Sequence, residues 1–272
     1  MTQIRPPAVA GAFYPADPAT LALEVDSLLE EAGRLHPPGD DEPFPKALIV
    51  PHAGYIYSGP VAATAYIRLR KGRGRITRVV LLGPVHRVAV RGLALPEASA
   101  FATPLGTILL DGEARNLLAG VPQVTVSGPA HALEHSLEVQ LPFLQRLLGE
   151  FTLIPLAVGD ASPEAVAQVL ERLWGGAETL IVISSDLSHY LPYDTARRMD
   201  GESVRDLLEL KLLSSHEQAC GATPVNGLIA LARRRGLIPR LMDQRNSGDT
   251  AGDRGRVVGY ASLAFYEEAS HE

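Results

Sequence analysis

The sequence predicts an α/β fold, a three-layer sandwich in which helices cover both faces of a mostly parallel central sheet. Short, continuously apolar runs alternate with amphipathic segments along most of the chain. This pattern is typical of parallel strands that are buried by helices on both faces. The chain has 272 residues, of which 46% are hydrophobic, so it has enough apolar surface for a core of this kind.

The apolar runs locate the strands and the amphipathic segments locate the helices. Central strands are predicted at residues 47–50, 79–82, 153–158 and 180–183, with a closing strand at 257–265. Apolar residues at i, i+3, i+4 spacing predict helices at 18–32, 61–70, 137–148, 163–174, 196–213 and 225–235. The stretch 92–127 is expected to add further strands around a short helix.

No Ser/Gly-rich or charge-rich linker divides the sequence, which predicts a single domain over residues 1–272. No apolar run approaches the roughly 18 residues that a membrane span requires, and the first residues lack the apolar segment of a signal peptide. We therefore expect a cytoplasmic protein without membrane contact. The formal net charge of −6 argues against a nucleic-acid partner, because binding phosphates requires clustered Lys and Arg.

Cys220 is the single cysteine of the chain, so an intrachain disulfide is excluded. A disulfide-stapled secreted scaffold is therefore excluded as well. On its own, a lone cysteine is more often a small buried apolar residue than a metal ligand.

Three apolar strands lead directly into polar side chains that can carry chemistry. His52 follows the first of these strands, His86 follows the second, and Asp186 and His189 follow the strand at 180–183. In open α/β sheets, ligands bind outside the carboxyl ends of the strands. The repetition at three strand ends predicts that these side chains share one crevice.

Five motifs in this order resemble those of the Memo family, and the resemblance covers nearly the whole chain. They are Pro51-His52-Ala53-Gly54-Tyr55, Leu82-Gly83-Pro84-Val85-His86, Glu134-His135-Ser136-Leu137-Glu138, Ser184-Ser185-Asp186-Leu187-Ser188-His189 and Cys220-Gly221. The resemblance implies a fold similar to the class III extradiol (LigB-type) dioxygenases, which are non-haem iron enzymes. It also implies an AmmeMemoRadiSam system, in which prokaryotic members are associated with an AMMECR1-type protein and a radical-SAM protein.

The resemblance implies that His52, His86 and Cys220 are the metal ligands. Two imidazoles and a thiolate suit a first-row transition metal and leave positions open for water or substrate. In the related dioxygenases the third ligand is a carboxylate, so Cys220 puts ring-cleaving activity in question. The thiolate makes Cu or Zn alternatives to the Fe(II) that the resemblance implies.

The resemblance further implies that Asp186 and His189 line the same cleft and are its catalytic residues. His189 matches the acid-base histidine of the dioxygenases, and an imidazole exchanges protons near neutral pH. Asp186 is expected to orient His189 or His52. The alternative for Asp186 is an N-cap of the segment that follows it.

Two other motifs compete with this interpretation. His131-Ala132-Leu133-Glu134-His135 matches the H-x-x-E-H string of inverzincin peptidases, although the preceding Gly128-Pro129 indicates a loop-to-helix junction; we expect His135 and Glu138 to edge the cleft instead. Ser184, Ser185, Asp186 and His189 are residue types of a hydrolase triad, but the G-x-S-x-G elbow that exposes such a serine is missing.

Two functions from different classes fit these residues. The first is a metal-dependent redox enzyme acting on a small molecule or on a partner in the radical-SAM pathway. The second is a non-catalytic scaffold that uses the ancestral cleft to bind a peptide or a metal. The sequence names no substrate.

Overall fold

The computed structural model describes residues 3–39 and 42–268. Its strands, in chain order, are β1 (Ile4–Arg5), β2 (Ala47–Val50), β3 (Arg78–Pro84), β4 (Leu93–Leu95), β5 (Ala100–Thr103), β6 (Gly106–Leu109), β7 (Val124–Val126), β8 (Thr152–Val158), β9 (Thr179–Ser184), β10 (His189–Leu191), β11 (Ile238–Asn246) and β12 (Val257–Tyr266).

The α-helices are α1 (Pro18–Leu35), α2 (Tyr55–Tyr66), α3 (Ala114–Leu117), α4 (Gly128–Ala132), α5 (Leu141–Leu148), α6 (Pro163–Arg172), α7 (Tyr193–Leu208) and α8 (Ala222–Arg235). Short 3₁₀ turns cover Ile67–Leu69, Glu138–Gln140 and Ser247–Asp249. Across the described residues no helix is both long and apolar enough to cross a membrane.

The central sheet has nine strands, eight of them in the order β10-β12-β2-β9-β3-β8-β4-β7, and β11 pairs with β12 outside this path. The four strands β2, β9, β3 and β8 are mutually parallel, and Ile183 is in register with both Ile49 and Leu82. Because parallel strands in register end at one edge, the residues that follow β2, β3 and β9 meet there.

Alternate residues of the central strands face two separate cores. Leu48 and Val50 of β2 pack with α1, α2 and α5, whereas Ala47 and Ile49 pack with α6, α7 and α8. This alternation follows from the two-residue period of a strand. The predicted three-layer α/β fold with a mostly parallel sheet is therefore confirmed.

A second, three-stranded sheet has the order β1-β5-β6. Strand β1 pairs in parallel with β5, where Arg5 is opposite Phe101. The strands predicted within residues 92–127 are thus divided between this sheet and the edge of the central one.

Several predicted helix ends are wrong for identifiable reasons. The helix predicted at 61–70 begins six residues earlier, at Tyr55, and contains Pro60 instead of starting after it. The helix predicted at 196–213 ends at Leu208, close to Leu210 with its φ of 55°. The segment predicted as one helix at 137–148 starts with the 3₁₀ turn, and its α-helix begins at Leu141 just before Pro142, which has no N–H to donate.

Strand β11 was not predicted from the sequence. It is a partly exposed strand that carries several charged side chains, and its one partner strand within the described range is β12. An edge strand of this kind lacks the continuous apolar run that marks a central strand.

Candidate metal centre

His52 lies directly beyond β2 and is 2% exposed. Its backbone N–H donates to Asp186 Oδ1 at 2.7 Å, and its Nδ1 is 2.9 Å from Ser184 Oγ. The Ser184 hydroxyl donates its single proton to the carbonyl of Ser136 at 2.6 Å, so it accepts the bond from His52. The network therefore assigns the proton to Nδ1 and leaves the lone pair on Nε2.

His86 lies just beyond β3, and the carboxylate of Glu134 fixes its orientation. Glu134 accepts from the His86 backbone N–H at 2.7 Å and from Nδ1 at 2.9 Å. Burial acts to raise the pKa of Glu134, but hydrogen bonds from the His86 ring and the Ser136 amide outweigh it and lower this pKa to about 2. An ionised carboxylate that holds Nδ1–H leaves His86 Nε2 available to a metal, as in carboxylate–histidine–metal arrangements.

His135 completes a group of three imidazoles. Its ring is stacked on His86 with centroids 4.6 Å apart and meets His52 edge-on at 5.4 Å. Within the part of the chain that the structure describes, one ligand atom from each of these three residues lies within 4.8 Å of the others. Metal–nitrogen bonds of about 2.0–2.1 Å require the nitrogens around one ion to lie within about 4.2 Å of one another, so these imidazoles are close enough to hold one metal ion once their rings move slightly inward.

Cys220 lies just before α8 and contacts His52. Its Sγ is 3.3 Å from His52 Nε2, and its backbone N–H donates to the carbonyl of Asp186 at 3.3 Å. Burial and the nearby Asp186 carboxylate raise the pKa of the Cys220 thiol to about 12. A thiolate at this position therefore needs the charge of a bound cation. Whether Cys220 is a ligand stays a prediction.

Burial keeps two of the three imidazoles, those of His52 and His135, neutral. Burial and the charge of His86 lower the pKa of His52 to about 3. Burial and the charge of His52 lower the pKa of His135 to about 4. Neutral imidazole is the form that binds a metal, so His52 and His135 are ready to do so at neutral pH.

Asp186 and His189 line a cavity of about 450 Å³ that His135 also lines. His189 Nδ1 is 2.9 Å from the carbonyl of Leu187; because a carbonyl only accepts, Nδ1 carries the proton and Nε2 is free to accept one. Asp186 bonds the backbone of His52, and burial raises its pKa. The segment after Asp186 leads into strand β10, so the helix N-cap alternative is wrong.

The family model described as "Memo-like protein" matches residues 5–264. The chain belongs to the Memo-like protein family. A MEMO1 family protein of Sulfolobus acidocaldarius is 35% identical over 96% of this chain and 99% of the relative. One of Aquifex aeolicus is 37% identical over 97% of this chain and 99% of the relative.

A solved structure also resembles this Memo-family chain. The crystal structure of uncharacterized protein JW3007 from Escherichia coli K12 aligns with a TM-score of 0.51 and 13% sequence identity. The alignment covers 80% of this chain and 98% of that one. At this identity the similarity concerns the fold alone.

The peptidase interpretation of residues 131–135 and the hydrolase interpretation of Ser184 are wrong for this Memo-family chain. His131 donates from Nε2 to the carbonyl of Ala94 at 2.8 Å and is outside the three-imidazole group. Helix α4 ends at Ala132, so His131 and His135 do not share a helix face as the peptidase motif requires. Ser184 is fully buried beneath His52, where no substrate could reach its hydroxyl.

Sequence reasoning expected His135 and Glu138 at the edge of the cleft. His135 does line the cavity, and it was not predicted to join the imidazole group. Glu138 is 0% exposed and instead binds the N-terminal segment through the backbone of Ala8 and Val9 and the hydroxyl of Tyr14.

The buried His131 makes the fold sensitive to acid. Its Nδ1 has no hydrogen-bond partner, and burial lowers the pKa of His131 to about 4. Between about pH 6.5 and 4 the unfolded chain binds a proton that the folded chain does not, so stability falls as the pH falls through this window. We expect His131 alone to cost about 3 kcal/mol at pH 4 relative to pH 7.

Urea unfolding of the wild type and of His131→Gln at pH 7 and pH 4, with a chelator present, measures this cost. Glutamine retains an N–H donor for Ala94 but does not titrate, so the variant should lose less stability on acidification. An identical pH dependence in both proteins would show that His131 titrates normally.

Proposed function

We propose that this protein is a metal-dependent oxidoreductase with a non-haem Fe(II) held by His52, His86 and Cys220, and with His135 beside them. The observation that carries the proposal is the convergence of His52 and His86, each with Nδ1 held and Nε2 left for a metal, beside His135 at the carboxyl edge of the parallel strands. The cavity that contains the acid-base candidate His189 opens beside them.

The donor set fits a first-row transition metal. Imidazoles and a thiolate bind Fe(II), Zn and Cu, and Fe(II) is favoured here by the resemblance to extradiol dioxygenases. His86 has a side chain that is 31% exposed, so the centre is open to water or substrate on that side. An open position is what distinguishes a catalytic metal site from a closed structural one.

When bound, iron would supply one-electron chemistry to an oxidant and a substrate held in the cavity. His189 would accept or return a substrate proton at Nε2, since its Nδ1–H is held by Leu187. Asp186 would hold the backbone of His52 and of Cys220 together, because its carboxylate and its carbonyl bond one each.

The lining of the cavity supports a small organic substrate. Phe13, Tyr57, Tyr190 and Tyr260 contribute aromatic surface, and Arg256 adds a cation. Aromatic surface combined with a few orienting polar groups is typical of small-molecule sites. The partners that we propose, an AMMECR1-type protein and a radical-SAM protein, rest on the family resemblance, and the cytoplasmic location rests on the sequence.

Oxygen uptake tests the proposed activity. Protein loaded anaerobically with Fe(II) should consume oxygen with a member of a panel of catechols and fractionated cell extracts. His189→Gln should keep the metal and slow this uptake by about 10²–10⁴-fold, the contribution of a general acid-base group. Loaded protein that consumes no oxygen with any of these substrates would support the alternative, a non-catalytic metal- or peptide-binding scaffold.

Co(II) binding distinguishes Cys220 from His135 as the third metal ligand. If Cys220 binds the metal, Co(II)-loaded wild type should show a sulfur-to-metal charge-transfer band that Cys220→Ser lacks, while His135→Ala retains it. The Co(II) affinity should also fall with Cys220→Ser, because a neutral hydroxyl is a poor substitute for a thiolate. A spectrum that Cys220→Ser leaves unchanged and His135→Ala alters would assign the third position to His135.

A further inference from the structure

Arg5 in β1 binds the chain segment that contributes His135 to the metal centre. Its guanidinium donates from Nε to the carbonyl of His131 at 2.8 Å and from Nη2 to the carbonyl of Glu134 at 2.7 Å, and it forms an ion pair with Glu138. Arg5 is 6% exposed, and its guanidinium carbon lies 5.0 Å above the ring of Phe101. One buried side chain therefore holds residues 131–138 at three points.

Glu138 carries this connection back to the N-terminal segment. Its carboxylate accepts from the backbone N–H groups of Ala8 and Val9, at 2.8 and 3.0 Å, and from the hydroxyl of Tyr14 at 2.5 Å. The neighbouring Phe13 ring contacts His135 with centroids 4.8 Å apart. The N-terminal segment is thus packed against the loop on both sides of His135.

The segment that Arg5 holds also orients His86. Glu134 accepts from the His86 ring and from the amides of His135 and Ser136. A displacement of the Glu134 backbone would move the carboxylate that fixes His86 and, with it, the adjacent His135. Mutation of the groups that orient metal ligands typically lowers metal affinity by about 10–100-fold.

We propose that Arg5 is a positioning residue of the metal centre, which keeps Glu134 and His135 in place against His86. The inference rests on the metal site of the proposed function. Lysine cannot replace arginine here, since the planar guanidinium presents donors in several fixed directions and an ammonium is a compact point charge.

Lys46 provides a matched comparison at the opposite edge of the sheet. It precedes β2 and donates from Nζ to the carbonyls of Trp174, Gly176 and Thr179, at 2.7, 2.7 and 2.9 Å. Like Arg5 it is 6% exposed, and its Nζ lies 5.0 Å from the centre of an aromatic ring. It therefore has a similar structural role, away from the metal centre.

The test compares Arg5→Lys with Lys46→Arg in the full-length chain. Co(II) affinity is measured by competition with a chelator, alongside the visible Co(II) spectrum and the melting temperature. We expect Arg5→Lys to weaken Co(II) binding by at least about tenfold and to shift the Co(II) bands. Lys46→Arg should lower the melting temperature and leave affinity and spectrum unchanged.

If Arg5→Lys does not fold, Glu138→Gln weakens the same anchor while conserving its volume, and the same affinity loss is expected. Wild-type affinity and spectrum in the folded Arg5 or Glu138 variant would overturn the inference, as would an equal affinity loss in Lys46→Arg. Failure of the wild type itself to bind Co(II) would overturn the proposed function as well. Failure of the Arg5 inference alone is therefore distinguished by a wild type that still binds Co(II).

Discussion

Replacing His52 or His86 by alanine is expected to weaken Fe(II) or Co(II) binding by at least about tenfold, and replacing both by at least about a hundredfold. Each change removes a nitrogen donor whose partner nitrogen in the ring is already held, by Ser184 or by Glu134. His52 should have the larger effect, because it contacts the imidazole group and the Cys220 thiol. Anaerobic titration against a competing chelator measures both affinities.

His36→Ala is the control, since this histidine lies at the end of α1 and is not a member of the imidazole group. His52 is buried, so its truncation also leaves a cavity, and circular dichroism must show that the variant is folded. A folded double variant that binds one metal ion with wild-type affinity would refute the site.

Replacing Gly92 by alanine is expected to cost at least about 3 kcal/mol of unfolding free energy. Gly92 has a φ of +79°, and an added Cβ would lie 2.1 Å from the carbonyl oxygen of Gln123. Its N–H also donates to Asp160 and its carbonyl accepts from Gly159. The backbone at this crossing of β4 and β8 therefore has no freedom to move away from a methyl group.

Gly74→Ala separates the steric effect from the backbone effect. Gly74 has a similar φ of +71°, but an added Cβ would have no neighbour within 4 Å. Only the left-handed conformation is then penalised, at about 1–2 kcal/mol. Urea unfolding should show the larger loss of unfolding free energy for Gly92→Ala. Equal losses in the two variants would mean that the Gln123 carbonyl moves away from the added methyl group.

The parallel core could be predicted because its strands are marked by local sequence. Residues 47–50 and 180–183 are continuously apolar, and the observed strands β2 and β9 contain them. The same runs predicted that His52, His86 and Asp186 would meet, since parallel strands in register end at one edge. In the structure, Asp186 accepts a hydrogen bond from the backbone of His52, and Glu134 accepts one from the backbone of His86.

His135 was the missed member of the imidazole group. It lies in an irregular stretch between α4 and the 3₁₀ turn, where no periodicity fixes the direction of a side chain. The available signal was Glu134, an acidic residue next to a histidine in a segment without a clear helical face. What places His135 is the hydrogen bonding of Glu134 to the loop after β3, which is a tertiary effect.

The small sheet was beyond prediction for a related reason. Strand β1 has two residues, and its partner β5 lies far along the chain. Pairing between strands so far apart in the chain leaves no local sequence pattern. Strands of two and four residues are also too short to show an alternation of apolar and polar side chains. Arg5 consequently gave no sign in the sequence that it reaches the loop at 131–138.

The order in which these groups are synthesised follows from the topology. Cys220 lies 168 residues after His52, and β12, which is inserted between β10 and β2, comes later still. A ribosome-bound chain must therefore extend beyond residue 220 before all four candidate donors exist, and to Tyr266 before the sheet beside His52 closes. A structural metal site whose ligands lie close together in the sequence can bind its metal, and fold around it, early. Here we expect the centre to be loaded only after β12 has been synthesised and has paired with β2, a non-local pairing that forms slowly.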